Sequence, residues 1–292
     1  MKNQRRAYIL AMTAVLCWST IGTAFKLSLH YLDPLNLLLF SSLTATLVLL
    51  TILIIQGKLK LLAAMKGIDI LQSAFLGLLN PFLYYVVLLK AYDLLPAQEA
   101  GTLNYIWPIV LVLLSIPLLK QKISGWSILA ILISFSGILV ISTHGNFTEL
   151  KFSDPFGVLL AVGSAIFWAL YWIFSLRDQR ETVSKLFLNF CFGLLYTVIA
   201  ISVVAGFRLP PWKGLTGAIY IGFFEMGITF VIWLSALRYS ITTAKVSNLI
   251  YLSPFISLIL IRLIVGEVIL ISTIIGLIGI VSGIILQQYL KR

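Results

Sequence analysis

Long apolar runs separated by short polar connections extend along this chain from end to end. A helix needs about 20 apolar residues to cross the hydrocarbon core of a membrane, and windows of that length fit the sequence ten times. The predicted spans are 7–29, 34–56, 68–90, 97–119, 124–143, 155–176, 185–206, 214–238, 243–264 and 269–289. A backbone exposed to lipid must satisfy its own hydrogen bonds, and these runs are about twice the length of a barrel strand. The pattern therefore predicts an all-α membrane protein with ten transmembrane helices.

Composition and charge agree with a membrane protein. The chain is 60% hydrophobic and 11% charged, whereas a soluble domain carries roughly 25% charged residues. The net charge of +11 could indicate nucleic-acid binding. If the N-terminus is inside, however, 15 of the 21 basic residues fall on the inner side, as the positive-inside rule requires. We therefore predict that both termini are cytoplasmic, and no soluble basic face remains for nucleic acid.

The second half of the chain repeats the first half in the same order. LAMTAVLCW at 10–18 matches LAVGSAIFW at 160–168, and LNYIWP at 103–108 matches LIYLSP at 249–254. Five spans in each half is an odd number, so the second half would enter the membrane in the opposite direction. We therefore predict two inverted five-helix repeats, 1–145 and 146–292. Inverted repeats are a recurring construction of secondary transporters, which alternate access to a site near the membrane midplane.

Glu225 is the only acidic or basic residue in the 24 residues from Gly214 to Leu237, and it lies at their centre. A charge at that depth costs about 2.5 to 3.5 kcal/mol on insertion scales and usually marks a functional site. The repeat sets Asn80 opposite Glu225, and Tyr84 and Thr229 follow four residues later on the same helical faces. We predict that these four residues bind substrate or couple transport. The alternatives for Glu225 are a structural acid in the helix interface or a misplaced span, and for the polar residues ordinary hydrogen bonds between helices.

Two prolines at equivalent repeat positions interrupt the fourth and ninth spans. Pro108 and Pro254 each remove a backbone hydrogen bond, which predicts helix kinks with free carbonyl groups. Asn104 and Asn248 precede them by one to two turns and are candidate binding residues beside the substrate path. The alternative is that the kinks serve only helix packing.

Aromatic residues are concentrated inside the spans, whereas an interfacial belt would gather at their ends. The candidate wall of a binding cavity consists of Trp18, Trp168, Tyr171, Trp107 and Tyr251, with Trp172 and Tyr105 beside them. Aromatic walls with a few polar groups suit aromatic or amphipathic solutes, and a cation can lie on a ring face. Plain packing is the alternative for any single member.

Several motifs together resemble one transporter family. The WST after Cys17, FWALYW at 167–172, the NYIWP and YLSP turns and LIVGEVI at 263–269 are similar to the EamA-type, ten-span branch of the drug/metabolite transporter superfamily. The resemblance implies export of amino acids or other small metabolites, driven by an ion gradient or by the substrate's own gradient. It also implies a prokaryotic plasma membrane. The family's Gly-Glu pair is present as Gly266-Glu267, but the equivalent place in the first half is Lys120-Gln121.

The remaining features narrow the function. Cys17 and Cys191 fall inside spans and are expected to be buried, reduced thiols. Lys26 is expected to extend to the membrane interface or to attract anions there. We find no motif of a metal site, phosphate loop or catalytic nucleophile, so we expect no cofactor, no metal and no enzyme activity. The predicted function is export of small amino-bearing or aromatic metabolites, with a proton as a candidate co-substrate. An exporter of lipophilic drugs or other metabolites, a membrane enzyme and a channel are the alternatives.

Overall fold

The computed structural model describes residues 3–120, 125–146, 154–241, 246 and 248–289, and this part of the chain is helical without β-strands. The helices of the first half are α1 (Gln4–Ser19), α2 (Ile21–Leu29), α3 (Pro34–Ile55), α4 (Lys60–Ala63), α5 (Gly67–Gly77), α6 (Tyr84–Leu94), α7 (Ala97–Asn104), α8 (Trp107–Leu119) and α9 (Gly125–Ser142).

The helices of the second half are α10 (Pro155–Ser175), α11 (Thr182–Ala200), α12 (Trp212–Tyr220), α13 (Thr229–Tyr239), α14 (Ser253–Leu260) and α15 (Ile271–Tyr289). Short segments of different winding connect some of them. They are the π-helical segments Leu78–Leu83, Ile201–Ala205, Ile221–Ile228 and Ile261–Val265 and the 3₁₀ segment Asn248–Leu252.

Seven continuous helical stretches of the described residues are long and apolar enough to cross a membrane. They are Gln4–Leu29, Pro34–Ile55, Gly67–Leu94, Ala97–Leu118, Pro155–Ser175, Thr182–Val204 and Trp212–Tyr239. Three shorter apolar helices, Ile128–Ser142, Leu249–Val265 and Ile271–Leu286, coincide with the fifth, ninth and tenth predicted spans. An all-helical membrane architecture is therefore confirmed.

Acidic side chains define where several helices begin. Asp33 accepts hydrogen bonds from the amides of Leu35 and Asn36 ahead of α3, and Asp154 accepts one from Gly157 ahead of α10. A proline follows each aspartate, at a position where its missing N–H costs nothing. These caps satisfy amide groups that would otherwise be unpaired at the ends of apolar helices.

The third and eighth spans are interrupted at equivalent places. Leu78–Leu83 separates α5 from α6, and Ile221–Ile228 separates α12 from α13. The fourth and ninth spans are also interrupted: a turn at Tyr105 and Ile106 separates α7 from α8, and Asn248–Leu252 precedes α14. Pro108 and Pro254 lie in the first turn of α8 and α14. Each half of the chain thus has two interrupted spans, at equivalent positions in the repeat.

Glycines allow α9 and α15 to pack closely together. A Cβ atom on Gly137 would lie 2.5 Å from the carbonyl oxygen of Gly276, and one on Gly283 would lie 2.5 Å from that of Ala130. No real side chain fits at such distances. Gly137, Gly276 and Gly283 therefore allow the backbones of α9 and α15 to come into contact.

The two cysteines differ from the expectation of full burial. Cys17 and Cys191 are free thiols, and both are partly exposed on the surface of the helix assembly. Both residues lie in apolar helices that are long enough to cross a membrane.

A buried ion pair anchors the connection between α10 and α11. Arg180 binds Asp178 through its Nη2 atom, 2.6 Å from Oδ2, and donates through Nη1 to the carbonyl oxygen of Asp69 and to Ser73 Oγ. Partial burial disfavours the ionised form of Asp178, but the hydrogen bonds and charge of Arg180 outweigh it and lower the pKa of that carboxyl group. The pair therefore ties this connection to α5.

We expect Asp178→Asn to lower the free energy of unfolding by about 1–3 kcal/mol, because it leaves a buried guanidinium with a weaker partner. A carboxyl group with a lowered folded pKa stabilises the protein above its unfolded pKa, near 4, and loses this effect as pH falls through the folded value. The difference in Tm between wild type and variant in detergent should therefore stay constant from pH 8 to pH 5 and shrink below about pH 4. Asp93→Asn, which removes the exposed pair with Lys90, should change Tm little. Equal effects of the two substitutions would contradict the assignment.

Candidate functional site

A cavity of about 450 Å³ lies between the two halves of the chain. Residues of α1, α2, α6, α7 and α8 from the first half and residues of α10, Ile221–Ile228, α13 and α14 from the second half line it. The wall includes many of the predicted binding and kink residues: Trp18, Tyr84, Asn104, Trp107, Pro108, Trp168, Glu225, Tyr251 and Pro254. The tertiary structure thus brings residues from distant parts of the sequence to one site.

Glu225 lies in the π-helical segment Ile221–Ile228 and is 8% exposed. Its Oε1 atom accepts a hydrogen bond from the hydroxyl group of Tyr85, at 2.9 Å. The other oxygen, Oε2, is buried and has no hydrogen-bond partner among the described residues. Glu225 therefore contributes a carboxyl group to the cavity wall with one oxygen held by Tyr85 and the other enclosed and unpaired. An unpaired carboxylate oxygen can take up a proton or pair with a cation.

Tyr85 is the residue that sequence reasoning missed. It is fully buried behind the wall, on α6, and reaches Glu225 from the other half of the chain. The only signal in the sequence was its position next to Tyr84. A buried hydroxyl group needs a partner, and the acid of the opposite repeat supplies it.

Residues four positions apart do not share a helical face across the π-helical segments. Asn80 and Thr229 are buried, but neither belongs to the cavity wall, although Tyr84 and Glu225 do. A π-helical turn changes the angular spacing of side chains, and Asn80 itself has extended backbone angles of φ −149° and ψ 122°. Residues that would share a face of a regular α-helix therefore point in different directions.

Tyr171 also lies behind the wall. Its side chain is 1% exposed. Ser175, Asn189 and Asn80 form a polar layer near its hydroxyl group, between α10, α11 and the Leu78–Leu83 segment. The side-chain amides of Asn80 and Asn189 have no hydrogen-bond partner among the described residues. Their position indicates a supporting role for Asn80 and Tyr171.

Asn104 connects three helices at the wall. The hydroxyl group of Tyr84 donates to its Oδ1 at 3.3 Å, and its Nδ2 donates to Ser164 Oγ at 2.8 Å. Ser164 donates in turn to the carbonyl oxygen of Ala161. This chain of hydrogen bonds holds the ring of Tyr84 in place beside the cavity.

Trp168 is the centre of the aromatic wall. Its ring lies 4.6 Å from that of Tyr84, 6.5 Å from Trp107 and 5.8 Å from Phe230, measured between ring centroids. Trp18 continues the cluster through Phe230, at 6.0 Å. All four contacts are edge-to-face or tilted. Phe230 is buried behind the wall, whereas the other four rings line the cavity.

The interrupted fourth and ninth helices meet at their breaks. The hydroxyl group of Tyr105 donates to the carbonyl oxygen of Ile250, which lies in the 3₁₀ segment before α14. Tyr105, Ile250 and Tyr251 all line the cavity. The side chain of Asn248 lies outside the described part of the structure.

Two charged side chains form hydrogen bonds with the backbone of the turn between α6 and α7, at one end of the cavity. Glu267 accepts hydrogen bonds from the amides of Ala97 and Gln98, at 2.8 and 3.1 Å. Lys26 donates to the carbonyl oxygens of Tyr92 and Leu95, at 2.9 and 2.8 Å. Lys26 therefore does not extend away to the interface, and Glu267 caps a helix of the other repeat. The counterpart of Glu267 in the first half, Gln121, lies outside the described residues.

Comparison with known protein families identifies the family to which this chain belongs. The pattern of the EamA-like transporter family matches this chain twice, at residues 5–143 and 155–287. The two matches cover the two halves in which the repeat was found, so a two-repeat architecture is confirmed.

The relatives found are transporters by name. An uncharacterized transporter of Clostridium kluyveri is 24% identical over 97% of this chain and 93% of its own length. The uncharacterized inner membrane transporter YhbE of Escherichia coli K12 is 26% identical over 67% of this chain and 60% of its own. The aromatic amino acid exporter YddG of Ancylobacter novellus is 25% identical over 79% of each chain.

A solved crystal structure shares the fold. It superposes on this chain with a TM-score of 0.69, covers 99% of this chain and 98% of its own, and is 20% identical in sequence. At that identity the likeness concerns the fold alone.

We expect Glu267→Ala to destabilise the protein by about 1–2 kcal/mol, because the amides at the start of α7 lose their acceptor. Glu267→Gln keeps one acceptor oxygen and should cost less. The measurement is thermal unfolding in detergent, with Arg262→Gln as a control because Arg262 is exposed on the segment before Glu267. An unchanged Tm for Glu267→Ala would show that the cap does not stabilise the fold.

Proposed function

Because this chain belongs to the EamA-like transporter family, it is a multi-pass membrane transporter of the plasma membrane, and we propose that it exports small amino-bearing or aromatic metabolites such as amino acids. Transport is secondary-active and uses alternating access to the cavity between the repeats. Glu225 recognises the amine of the substrate or exchanges a proton with it.

The observation that carries this proposal is the position of Glu225 on the wall of an aromatic cavity, with its buried Oε2 atom unpaired among the described residues. Burying a carboxylate without a partner costs free energy. We therefore infer that a ligand pairs with the Glu225 carboxylate during transport. An ammonium group is a matching partner for this carboxylate, and the rings of Trp168 and Tyr84 line the same cavity. The name of the relative YddG, an aromatic amino acid exporter, agrees with such a substrate.

A second candidate function is export of lipophilic compounds. Most of the wall is apolar or aromatic, and large solutes without charge would be held by these surfaces. This alternative requires no role for Glu225. The two functions therefore differ in their response to removal of the carboxylate.

We propose ten spans in two inverted repeats, 1–145 and 146–292, with both termini in the cytoplasm. The double family match and the equivalent interruptions of the third and eighth spans support this arrangement. The distribution of basic residues supports the orientation.

A reporter fused after Arg292 should report a cytoplasmic location. The same reporter inserted in the connection 144–154, between the halves, should report the opposite side of the membrane. An external signal from the first fusion would contradict the predicted orientation. Signals from the same side of the membrane for both fusions would contradict an odd number of spans in the second half.

Counterflow in liposomes tests the role of Glu225. We expect purified wild-type protein to accumulate at least one member of a radiolabelled amino-acid and amine panel. Glu225→Gln should reduce this accumulation at least tenfold, because the neutral amide cannot pair with an ammonium or exchange a proton. Asp93→Asn, which removes an exposed carboxylate far along α6, is the control and should transport normally. Robust counterflow in Glu225→Gln would assign the acid a structural role and favour the lipophilic alternative.

A further inference from the structure

The charge balance of the cavity wall is asymmetric. Among its described residues Glu225 is the single acidic side chain, and no Lys, Arg or His is present. The wall therefore has one group for a positive charge and no basic side chain for a negative charge. An amino acid in its zwitterionic form carries both.

Lys26, which follows the wall residue Phe25 in the sequence, is already engaged. Lys26 donates to two backbone carbonyl oxygens, those of Tyr92 and Leu95, and does not line the cavity. Releasing it for a substrate carboxylate would leave two buried carbonyl groups without their donor. Such groups cost free energy when they are unpaired.

The start of α8 does not replace a basic side chain. A helix N-terminus can bind a carboxylate through its free amide groups. Here Pro108 has no N–H, and the amides of Ile109 and Val110 both donate to the carbonyl oxygen of Ile106, at 2.9 and 3.2 Å. The turn at the helix break thus occupies the amides that a carboxylate would need.

The groups that are available suit a cation. Glu225 Oε2 is buried and has no partner among the described residues, and aromatic rings attract a positive charge to their faces. Tyr84 and Trp168 are packed at 4.6 Å on the same wall. A carboxylate of a substrate would meet no charged partner on the described wall, where the buried N–H group of Trp172 is a neutral donor only. A buried charge without a charged partner is strongly unfavourable.

We infer that the cavity prefers an aromatic or apolar amine, with one positive charge and no carboxylate, over the corresponding zwitterionic amino acid. The inference rests on the proposed function and specifies its substrate class. It depends on the absence of a basic partner on the described wall together with the unpaired carboxyl oxygen of Glu225.

Matched pairs of ligands test the inference directly. Tryptamine and tryptophan share the ring and the amine and differ by one carboxylate, as do phenethylamine and phenylalanine. Tryptophan methyl ester keeps the bulk at that position and removes the charge. Affinities of the full-length protein in detergent are measured by isothermal titration calorimetry.

Each amine should bind at least tenfold more tightly than its amino acid, and the methyl ester should bind like tryptamine. Glu225→Gln should weaken tryptamine binding at least tenfold, whereas Asp93→Asn should leave it unchanged. Circular dichroism and size-exclusion profiles of both variants establish that they are folded.

The outcomes separate the two levels of the proposal. Equal or tighter binding of the amino acids overturns the inference and leaves the proposed amino-acid export in place. Tryptamine binding that is unaffected in folded Glu225→Gln overturns the inference as well, because the Glu225 carboxylate then does not bind the amine. If neither member of any pair binds, both the inference and the proposed substrate class are wrong.

Discussion

Backbone hydrogen bonding in hydrocarbon is the constraint on which the rest of this structure depends. Every peptide group in lipid needs a partner within its own segment, which makes helices obligatory where the chain meets the membrane interior. Breaks in the helices are then tolerated only where protein or a polar cavity covers them. The breaks at Tyr105 and Ile106, at Asn248–Leu252 and at Ile221–Ile228 all adjoin one cavity. The irregular backbone and the candidate site coincide for this physical reason.

A small number of polar contacts positions the chemistry of the cavity. Tyr85 holds one oxygen of Glu225, and Asn104 holds the hydroxyl group of Tyr84. Each contact joins different segments of the fold, so the position of the carboxylate depends on how α6 packs against Ile221–Ile228. A rigid aromatic surface around one carboxylate limits the ligands that can bind without leaving a charge unpaired.

The two repeats have diverged where they carry function. Asn80 and Glu225 occupy equivalent segments, but Asn80 lies in a polar layer behind the wall and Glu225 lies on it. Gly266 and Lys120 both have left-handed backbone angles at the ends of equivalent helices, with φ values of 82° and 53°. Glu267 then caps α7 of the other repeat. One repeat therefore supplies the carboxylate of the site and the cap that fixes a wall of the cavity.

The sequence by itself determined the helical class, the approximate ends of the apolar helices, the two-repeat architecture and the presence of an isolated acid inside a membrane segment. These features depend on helix length, hydropathy and order along the chain, which are local properties. Only the tertiary structure decided which polar groups reach the cavity. Tyr84 and Asn104 lie on its wall, whereas Thr229 does not. Tyr85 donates a hydrogen bond to Glu225 from the other half of the chain. A membrane helix is apolar on every side, so its sequence does not reveal which side faces inward, and each π-helical segment rotates the next helix relative to the one before it.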